Sequence, residues 1–513
     1  MKNTVNRSWL VVLLLLCVVS FQGFAADSAD GVIKIQVLTV NDFHGALVNN
    51  AKDPGAAKLG ACLFLQKANY PDTTLILSAG DMFQGTMDSN LLFGATDIRF
   101  MNFVGFDAMA LGNHEFDWKV DKIRDRAVQA NFPFMAANIF DSKTKKAVNF
   151  CQPTLLLKRD GVMIGIIGYD TIETPESTSP ANVVGLNFTD PAANVEKLAS
   201  ELRKRGASII IVLSHMGVDQ NGDVLSGEAA DFAKKVKGVD LIVSGHTHKI
   251  VNGIVNKIPI VQAYCNGRAV GDVVFEYSTK EHKIVSTTVN VIGTADLQKL
   301  TPDSNITKIL DVDLADVSSV KNRVIGSTEN VISNAVTYGV AQQSLMGEFV
   351  TDNMRTVAKA DMAFTNIGGL RTSIDKGNIT LGNVYSVLPF DNTVATCDMT
   401  GQQVMDLLNY SIDSAKIGSV QFSGLKIVYD ASKPQNQRII SVKTLDGKPL
   451  DLSKTYKVAT NDFMAIGGDG YVMFMAAKNM VNTGITMRDS IDNEIIARKN
   501  INIVDDGRLQ VVK

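Results

Sequence analysis

The feature that most constrains this 513-residue chain is a set of five short apolar runs, each stopping in a cluster of metal-type ligands. Residues 33–40 lead into Asn41-Asp42-Phe43-His44, residues 75–77 into Ser78-Ala79-Gly80-Asp81, and residues 108–111 into Gly112-Asn113-His114. Further on, residues 209–213 lead into Ser214-His215 and residues 241–243 into Ser244-Gly245-His246-Thr247-His248. Short apolar runs alternating with amphipathic stretches, from residue 33 to about 292, are the pattern of a layered α/β fold. In open α/β sheets ligands bind outside the carboxyl ends of strands, so loops far apart in sequence can share one site. After Asn113-His114-Glu115-Phe116-Asp117, the apolar positions Val120, Ile123 and Ala127 recur at helical spacing and predict a covering helix.

The chain has six histidines, and five of them, His44, His114, His215, His246 and His248, stand at these strand ends. Only His282, in the polar turn Lys280-Glu281-His282-Lys283, lies elsewhere. Any one of the five taken alone reads as a surface or hydrogen-bonded core histidine; five together point to a shared ligand. Asp42 and His44 form a D-x-H pair whose alternate spacing puts both side chains on one side of an extended segment, and His246 and His248 repeat that spacing. Gly80 and Gly112, beside Asp81 and Asn113, permit tight turns and close backbone approach. Two divalent ions roughly 3.5–4 Å apart can clamp the attacking and leaving oxygens of a phosphoryl transfer, with a carboxylate between them. Asp81 is the candidate bridge, and spacing alone leaves the division of the other ligands open.

At the start, Lys2 and Arg7 precede an apolar run from Trp9 to Val19, and Gly23-Phe24-Ala25 offers small residues for cleavage, so residues 1–25 read as a signal peptide. The run is shorter than the roughly 20 residues that span a bilayer. Leu16 before Cys17 argues against a lipoprotein, and the C-terminal Leu509-Gln510-Val511-Val512-Lys513 carries no anchoring tail. The expectation is an exported protein, periplasmic or secreted, without a stable membrane anchor, as monomer or homodimer. With Lys2 and Arg7 removed from 50 basic side chains against 53 acidic ones, the mature balance is about −5, which disfavours a nucleic-acid partner. Cys62, Cys151, Cys265 and Cys397 are widely spaced, compatible with one or two disulfides or with buried free thiols.

So long a chain exceeds one ordinary core. Residues 30–292 form the expected first domain, residues 293–325 a polar helical linker, and residues 326–513 a second domain with a helix near 344–360 and strands near 425–429 and 456–459. The second domain holds Asn366-Ile367-Gly368-Gly369-Leu370-Arg371, Leu388-Pro389-Phe390-Asp391-Asn392 and Asn461-Asp462-Phe463 through Gly467-Gly468-Asp469-Gly470. Each segment alone is ordinary. Two phenylalanines can, however, stack on both faces of a nucleobase for about 1–3 kcal/mol per base with little demand on its identity.

With its D-x-H, G-D, G-N-H-E and G-H-T-H motifs in this order, the first part of the chain resembles the calcineurin-like metallophosphatases. Nearly everything after the leader is similar to the secreted 5′-nucleotidases, including periplasmic UDP-sugar hydrolases. The resemblance implies an α/β fold: a four-layer metallophosphatase β-sandwich flanked by helices, with a second mixed α+β substrate-binding domain. It implies two divalent metal ions (zinc, manganese or cobalt, with iron also compatible with the donors), one on Asp42, His44, Asp81 and His248, the other on Asp81, Asn113, His215 and His246. It assigns His114 and Asp117 as a catalytic dyad, Phe390 and Phe463 to base stacking, and Arg371 to phosphate. Asn392 and Asp469 are assigned to base or ribose, and Asn366 belongs to the same substrate-binding loops. The implied reaction is hydrolysis of nucleoside 5′-monophosphates, extending to UDP-sugars, nucleoside di- and triphosphates or 2′,3′-cyclic nucleotides. A thiosulfohydrolase of the same architecture and a non-catalytic nucleotide-binding surface protein are the alternatives. One departure is that some relatives carry further arginines where this chain reads Asn334-Ala335-Val336 and Tyr338-Gly339-Val340.

Overall fold

The computed structural model describes residues 31–512, so the leader expected at 1–25 lies outside the described residues. The first half is built on two six-stranded sheets. One has the order Lys283–Ile292, Val270–Ser278, Val32–Val40, Thr74–Ser78, Ala108–Ala110, Phe134–Met135, with the last four strands parallel. The other has the order Ile250–Val255, Ile258–Ala263, Leu241–Val243, Ile209–Ser214, Val162–Tyr169, Thr154–Arg159, and its central four strands are parallel. Strands covered on both faces read as unbroken apolar runs, which is why every residue of Ile209–Ser214 and Thr74–Ser78 is buried.

Alternation along each strand separates the layers. Ile35, Val37, Leu75 and Leu77 face Ile164, Ile166, Ile209 and Ile211 across the gap between the sheets. Leu38, Val40 and Ile76 point the other way, under the helices Gly55–Lys67 and Ala95–Val104. Ile167, Ile210 and Val212 lie under Val195–Lys204 and Glu228–Lys235. The result is the expected four-layer sandwich. The strand-end rule alone does not say which sheet each run joins: three ligand-bearing strands belong to one sheet and two to the other. The site therefore lies where the carboxyl edges of two facing sheets meet, a pairing that strand periodicity does not encode.

The segment expected to be one polar helical stretch is three helices, Thr294–Lys299, Ser304–Asp313 and Ala315–Lys321. Leu297, Ile306, Leu310, Leu314 and Val317 bury an apolar stripe in the first core. Gly60 makes room for it, since a Cβ there would stand 2.1 Å from Ile306 Cδ1. The second half has a five-stranded mixed sheet, Gln421–Ser423, Met362–Thr365, Thr455–Asn461, Thr393–Thr400 and Lys478–Thr486, and a three-stranded sheet. Its helix Leu345–Ala358 begins where Ser344 accepts the N–H of Gly347. The four cysteines of the described residues are free thiols. Among those residues no helix is long and apolar enough to cross a membrane.

Asp97, in the first turn of Ala95–Val104, is fully buried; one oxygen accepts from Ser89 Oγ at 2.6 Å and the other has no partner. Burial pushes its pKa up to about 7, against the pull of the Ser89 hydroxyl. A carboxyl whose folded pKa exceeds its unfolded value, about 3.9, stabilises the fold while protonated. That contribution is fully present below about pH 3.9 and is lost as pH rises to about 7. Asp97→Asn is expected to flatten the fall of stability between about pH 4 and 7, read by denaturant unfolding. A variant with the wild-type slope would contradict this assignment.

Candidate dimetal phosphoester site

The ligand loops are held in an unusual backbone conformation. Asp42, His44, Asp81, His246 and His248 all have positive φ, at 50°, 52°, 54°, 75° and 53°. Each such residue costs about 1–3 kcal/mol and persists only where the surroundings over-determine it. Here Asp42 N–H donates to Gly80 O at 2.9 Å and His44 N–H to Asp81 O at 3.0 Å. A Cβ on Gly112 would stand 2.3 Å from Asp81 Oδ1, so only glycine lets these loops close. Glu115, buried beneath them, accepts the N–H groups of Asp81 and Gly112 through Oε2 and of Met82 through Oε1, at 2.8–2.9 Å. Burial, then the charge of Asp81, pushes Glu115 up to about 8, while the Gly112 and Asp81 N–H groups pull it back.

Two groups of donors result. Asp42, His44 and His248 offer ligand atoms within 4.8 Å of one another, and so do Asp81, His215 and His246. His44 Nδ1 is 2.7 Å from Gln84 O, and His215 Nδ1 is 2.7 Å from Ala79 O, so both rings turn Nε2 to the interior. His44 Nε2 and His248 Nε2 face each other at 3.0 Å, and Asp42 Oδ1 lies 3.3 Å from His248 Nε2. His215 Nε2 is fully buried, 3.0 Å from Asp81 Oδ2, without a hydrogen bond of acceptable geometry. Imidazole lone pairs converging with carboxylates in this way fit divalent cations held by mixed nitrogen and oxygen donors. Asn113 Oδ1 lies 3.0 Å from His246 Nδ1, which joins Asn113 to the second group. Burial opposes ionisation of Asp42, yet His248 and then His215 hold its carboxyl down at about 2. Burial, then the charge of His248, holds His44 well below the usual histidine range.

His114 Nδ1 is 2.8 Å from Asp117 Oδ2, so the expected dyad is in contact. Burial works against its protonation, but Asp117 and then Asp81 raise its pKa above the usual value. The other oxygen of Asp117 accepts from Thr178 Oγ1 at 2.7 Å.

A cavity of about 940 Å³ opens over this centre, and Asn366, Arg371, Phe390, Asn392, Phe463 and Asp469 line it together with Asp81, Asn113, His114, His246 and His248. Thus all six second-half residues singled out in the sequence reach the same space as the metal-type ligands. Their individual settings differ from a simple base clamp. Phe390 stacks on His114 with ring centroids 5.5 Å apart, Arg371 lies over its ring at 5.8 Å, and among the described residues no ring contact joins Phe390 to Phe463. Asn392 donates to Asp462 Oδ1 at 2.8 Å, and Asn366 donates to Asp469 Oδ2 at 2.7 Å. Burial pushes Asp469 up to about 6. Of the two segments Asn334-Ala335-Val336 and Tyr338-Gly339-Val340, Asn334 hydrogen-bonds the carbonyl of Leu370 and Tyr338 lines the cavity.

Glu115, Glu173, Thr178 and Lys416 also border or support the centre and were absent from the expected set. Glu115 lies inside the G-N-H-E motif and its contact with three N–H groups is its signal; the other three sit in loops with no local pattern.

Residues 35–250 match the calcineurin-like phosphoesterase family, and residues 324–476 match the 5′-nucleotidase C-terminal domain. Protein UshA of Yersinia enterocolitica is 31% identical over 515 residues, spanning 91% of this chain and 90% of the relative. Cell wall protein Lmo0130 of Listeria monocytogenes is 30% identical, spanning 93% of this chain and 69% of the relative. Two relatives from Bacillus subtilis are longer, and the chain spans 37% and 33% of their lengths. The crystal structure of a 5′-nucleotidase precursor from Thermus thermophilus superposes with a TM-score of 0.82 at 29% identity, covering 94% of this chain and all of that one.

Proposed function

The chain belongs to the calcineurin-like phosphoesterases that carry a 5′-nucleotidase C-terminal domain, and from that premise we propose that it is a dimetal-dependent 5′-nucleotidase. Its main reaction is hydrolysis of nucleoside 5′-monophosphates to nucleoside and phosphate, with UDP-sugars, nucleoside di- and triphosphates or 2′,3′-cyclic nucleotides as further substrates. One observation carries the reading: each donor group reaches the same cavity as the aromatic, arginine-bearing loops, the first through His248 and the second through Asp81 and His246.

Asp42, His44, Asp81 and His248 would hold one ion, and Asp81, Asn113, His215 and His246 the other. Zinc, manganese or cobalt suits these donors. Bound there, the ions supply positive charge to the phosphoryl oxygens and lower the pKa of water. Asp117 fixes the proton on His114 Nδ1 and favours the imidazolium, so Nε2 is free to donate to an oxygen of the phosphoryl or leaving group. Arg371 grips phosphate, Phe390 and Phe463 take the base, Asn392 and Asp469 contact base or ribose, and Asn366 holds Asp469 in place. Phe390 and Phe463 favour a base-bearing substrate over a thiosulfate ester. The intact ligand set and dyad favour a catalyst over a binding protein. The protein works in the periplasm or outside the cell, as monomer or homodimer.

Phosphate release from AMP, other nucleoside monophosphates, ATP, UDP-glucose and 2′,3′-cyclic AMP, with and without chelator, tests the reading. Phe463→Ala is expected to raise KM for AMP roughly 5- to 150-fold, the equivalent of about 1–3 kcal/mol of stacking. Release that survives chelation, or an unchanged KM, would count against it.

A further inference from the structure

Residues 171–182, between the strands Val162–Tyr169 and Leu186–Phe188, carry none of the ligands or substrate-binding residues assigned above, yet they reach several of them. Thr178 Oγ1 donates to Asp117 Oδ1 at 2.7 Å, and Asn182 Nδ2 donates to the main-chain carbonyl of Asp117 at 2.8 Å. The carbonyl of Ser177 accepts from Asn113 Nδ2 at 3.3 Å. Glu173 lies 3.7 Å from His246 Nε2 through one oxygen, and the other oxygen pairs with Lys416 at 3.1 Å.

Thr178 is the best anchored of these. It is 2% exposed, and its N–H donates to Thr174 O at 3.1 Å, closing the short helix Thr174–Ser177. That helix packs against Gly468–Gly470, the turn that bears Asp469. Asp117 is thus held at both carboxylate oxygens, by His114 through Oδ2 and by Thr178 through Oδ1. The final torsion of an aspartate side chain is broad and soft, so one contact alone leaves the plane of the carboxylate free to swing. The histidine bonded to it would swing too. Partners one bond removed from a reacting centre are typically worth 10- to 100-fold.

We propose that Thr178 is a positioning residue for phosphoester hydrolysis: its hydroxyl locks the plane of the Asp117 carboxylate and thereby the direction in which His114 presents Nε2. The proposal rests on the reading of His114 and Asp117 as the dyad. Thr178→Val keeps the shape and removes the hydroxyl, and Thr178→Ser keeps the hydroxyl. In the metal-loaded full chain, Thr178→Val is expected to lower kcat on AMP about 10- to 100-fold with KM within about twofold. Its metal content should match wild type, and Thr178→Ser should restore kcat to within about threefold. The downfield proton resonance of His114 Nδ1–H, assigned by its absence in His114→Ala, should exchange faster with water in the valine variant and not in the serine variant. A kcat within twofold of wild type in Thr178→Val, or serine failing to restore it, overturns the proposal. Loss of metal or of folding in Thr178→Val, with serine normal, also overturns it, because the hydroxyl would then serve the scaffold. If His114→Ala itself retains wild-type kcat, the dyad reading falls. If His114→Ala collapses while Thr178→Val does not, only the present inference falls.

Discussion

Stripping the metal-loaded protein with EDTA, or replacing Asp81 by asparagine, is expected to abolish phosphate release, with residual kcat at least about a thousandfold below wild type. The charge that neutralises the phosphoryl oxygens would be gone, and oriented positive charge is usually the largest contribution to this class of catalysis. The same treatment should be visible in stability. A ligand that binds only the folded state stabilises it by about 4 kcal/mol at a thousand times its Kd. For a unit of this size that corresponds to a Tm higher by roughly 10 °C in the loaded protein. Adding back zinc, manganese or cobalt should recover both signals in proportion to occupancy. Recovery of Tm without activity would place the ions elsewhere; activity unaffected by stripping would end the dimetal reading.

His114→Ala should lower kcat on nucleoside monophosphates by about 10²–10⁴-fold, the usual range for a positioned proton donor, with metal content and Tm close to wild type. KM should move little, because the contact is worth most once charge develops on the oxygen it faces. Asp117→Asn is the sharper companion. An amide can still meet the imidazole, but it presents either a donor or a neutral acceptor, so the tautomer and charge of His114 are no longer fixed. Rates for both variants within threefold of wild type would remove the dyad from the mechanism.

The candidate ligands stand out in the sequence because each lies just beyond an apolar run, and few residues combine that position with an imidazole, a carboxylate or an amide. Helical spacing of Val120, Ile123 and Ala127 foretold Lys119–Gln129 for the same local reason, and Ser344 marked the start of Leu345–Ala358. What local pattern cannot carry is partnership. Nothing in the run 209–213 says that it belongs to a different sheet from the run 75–77. Glu115 reads as part of a motif, but its service to the loops of Asp81 and Gly112 requires their meeting in space. The stripe Ile306, Leu310, Leu314 and Val317 was hidden by the polar residues around it. Phe390 against His114, and Thr178 against Asp117, join segments 276 and 61 residues apart, beyond any spacing rule.

The left-handed backbone at Asp42, His44, Asp81, His246 and His248 restricts which sequences can occupy this centre, whether or not they bind metal. Aspartate, asparagine and histidine are among the few residues that tolerate that conformation, and they are also the residues that coordinate cations. Side chains chosen for one property arrive with the other. A β-branched replacement would suffer twice, once for the missing donor and once for the unfavourable torsion, so a valine or isoleucine scan would overstate what coordination contributes. Asparagine at Asp42 or Asp81 keeps the torsion tolerable and isolates the chemistry. Descendants that abandoned catalysis while keeping this scaffold should accordingly retain asparagine, aspartate or glycine at these five positions, leaving a trace of the lost centre in their loops.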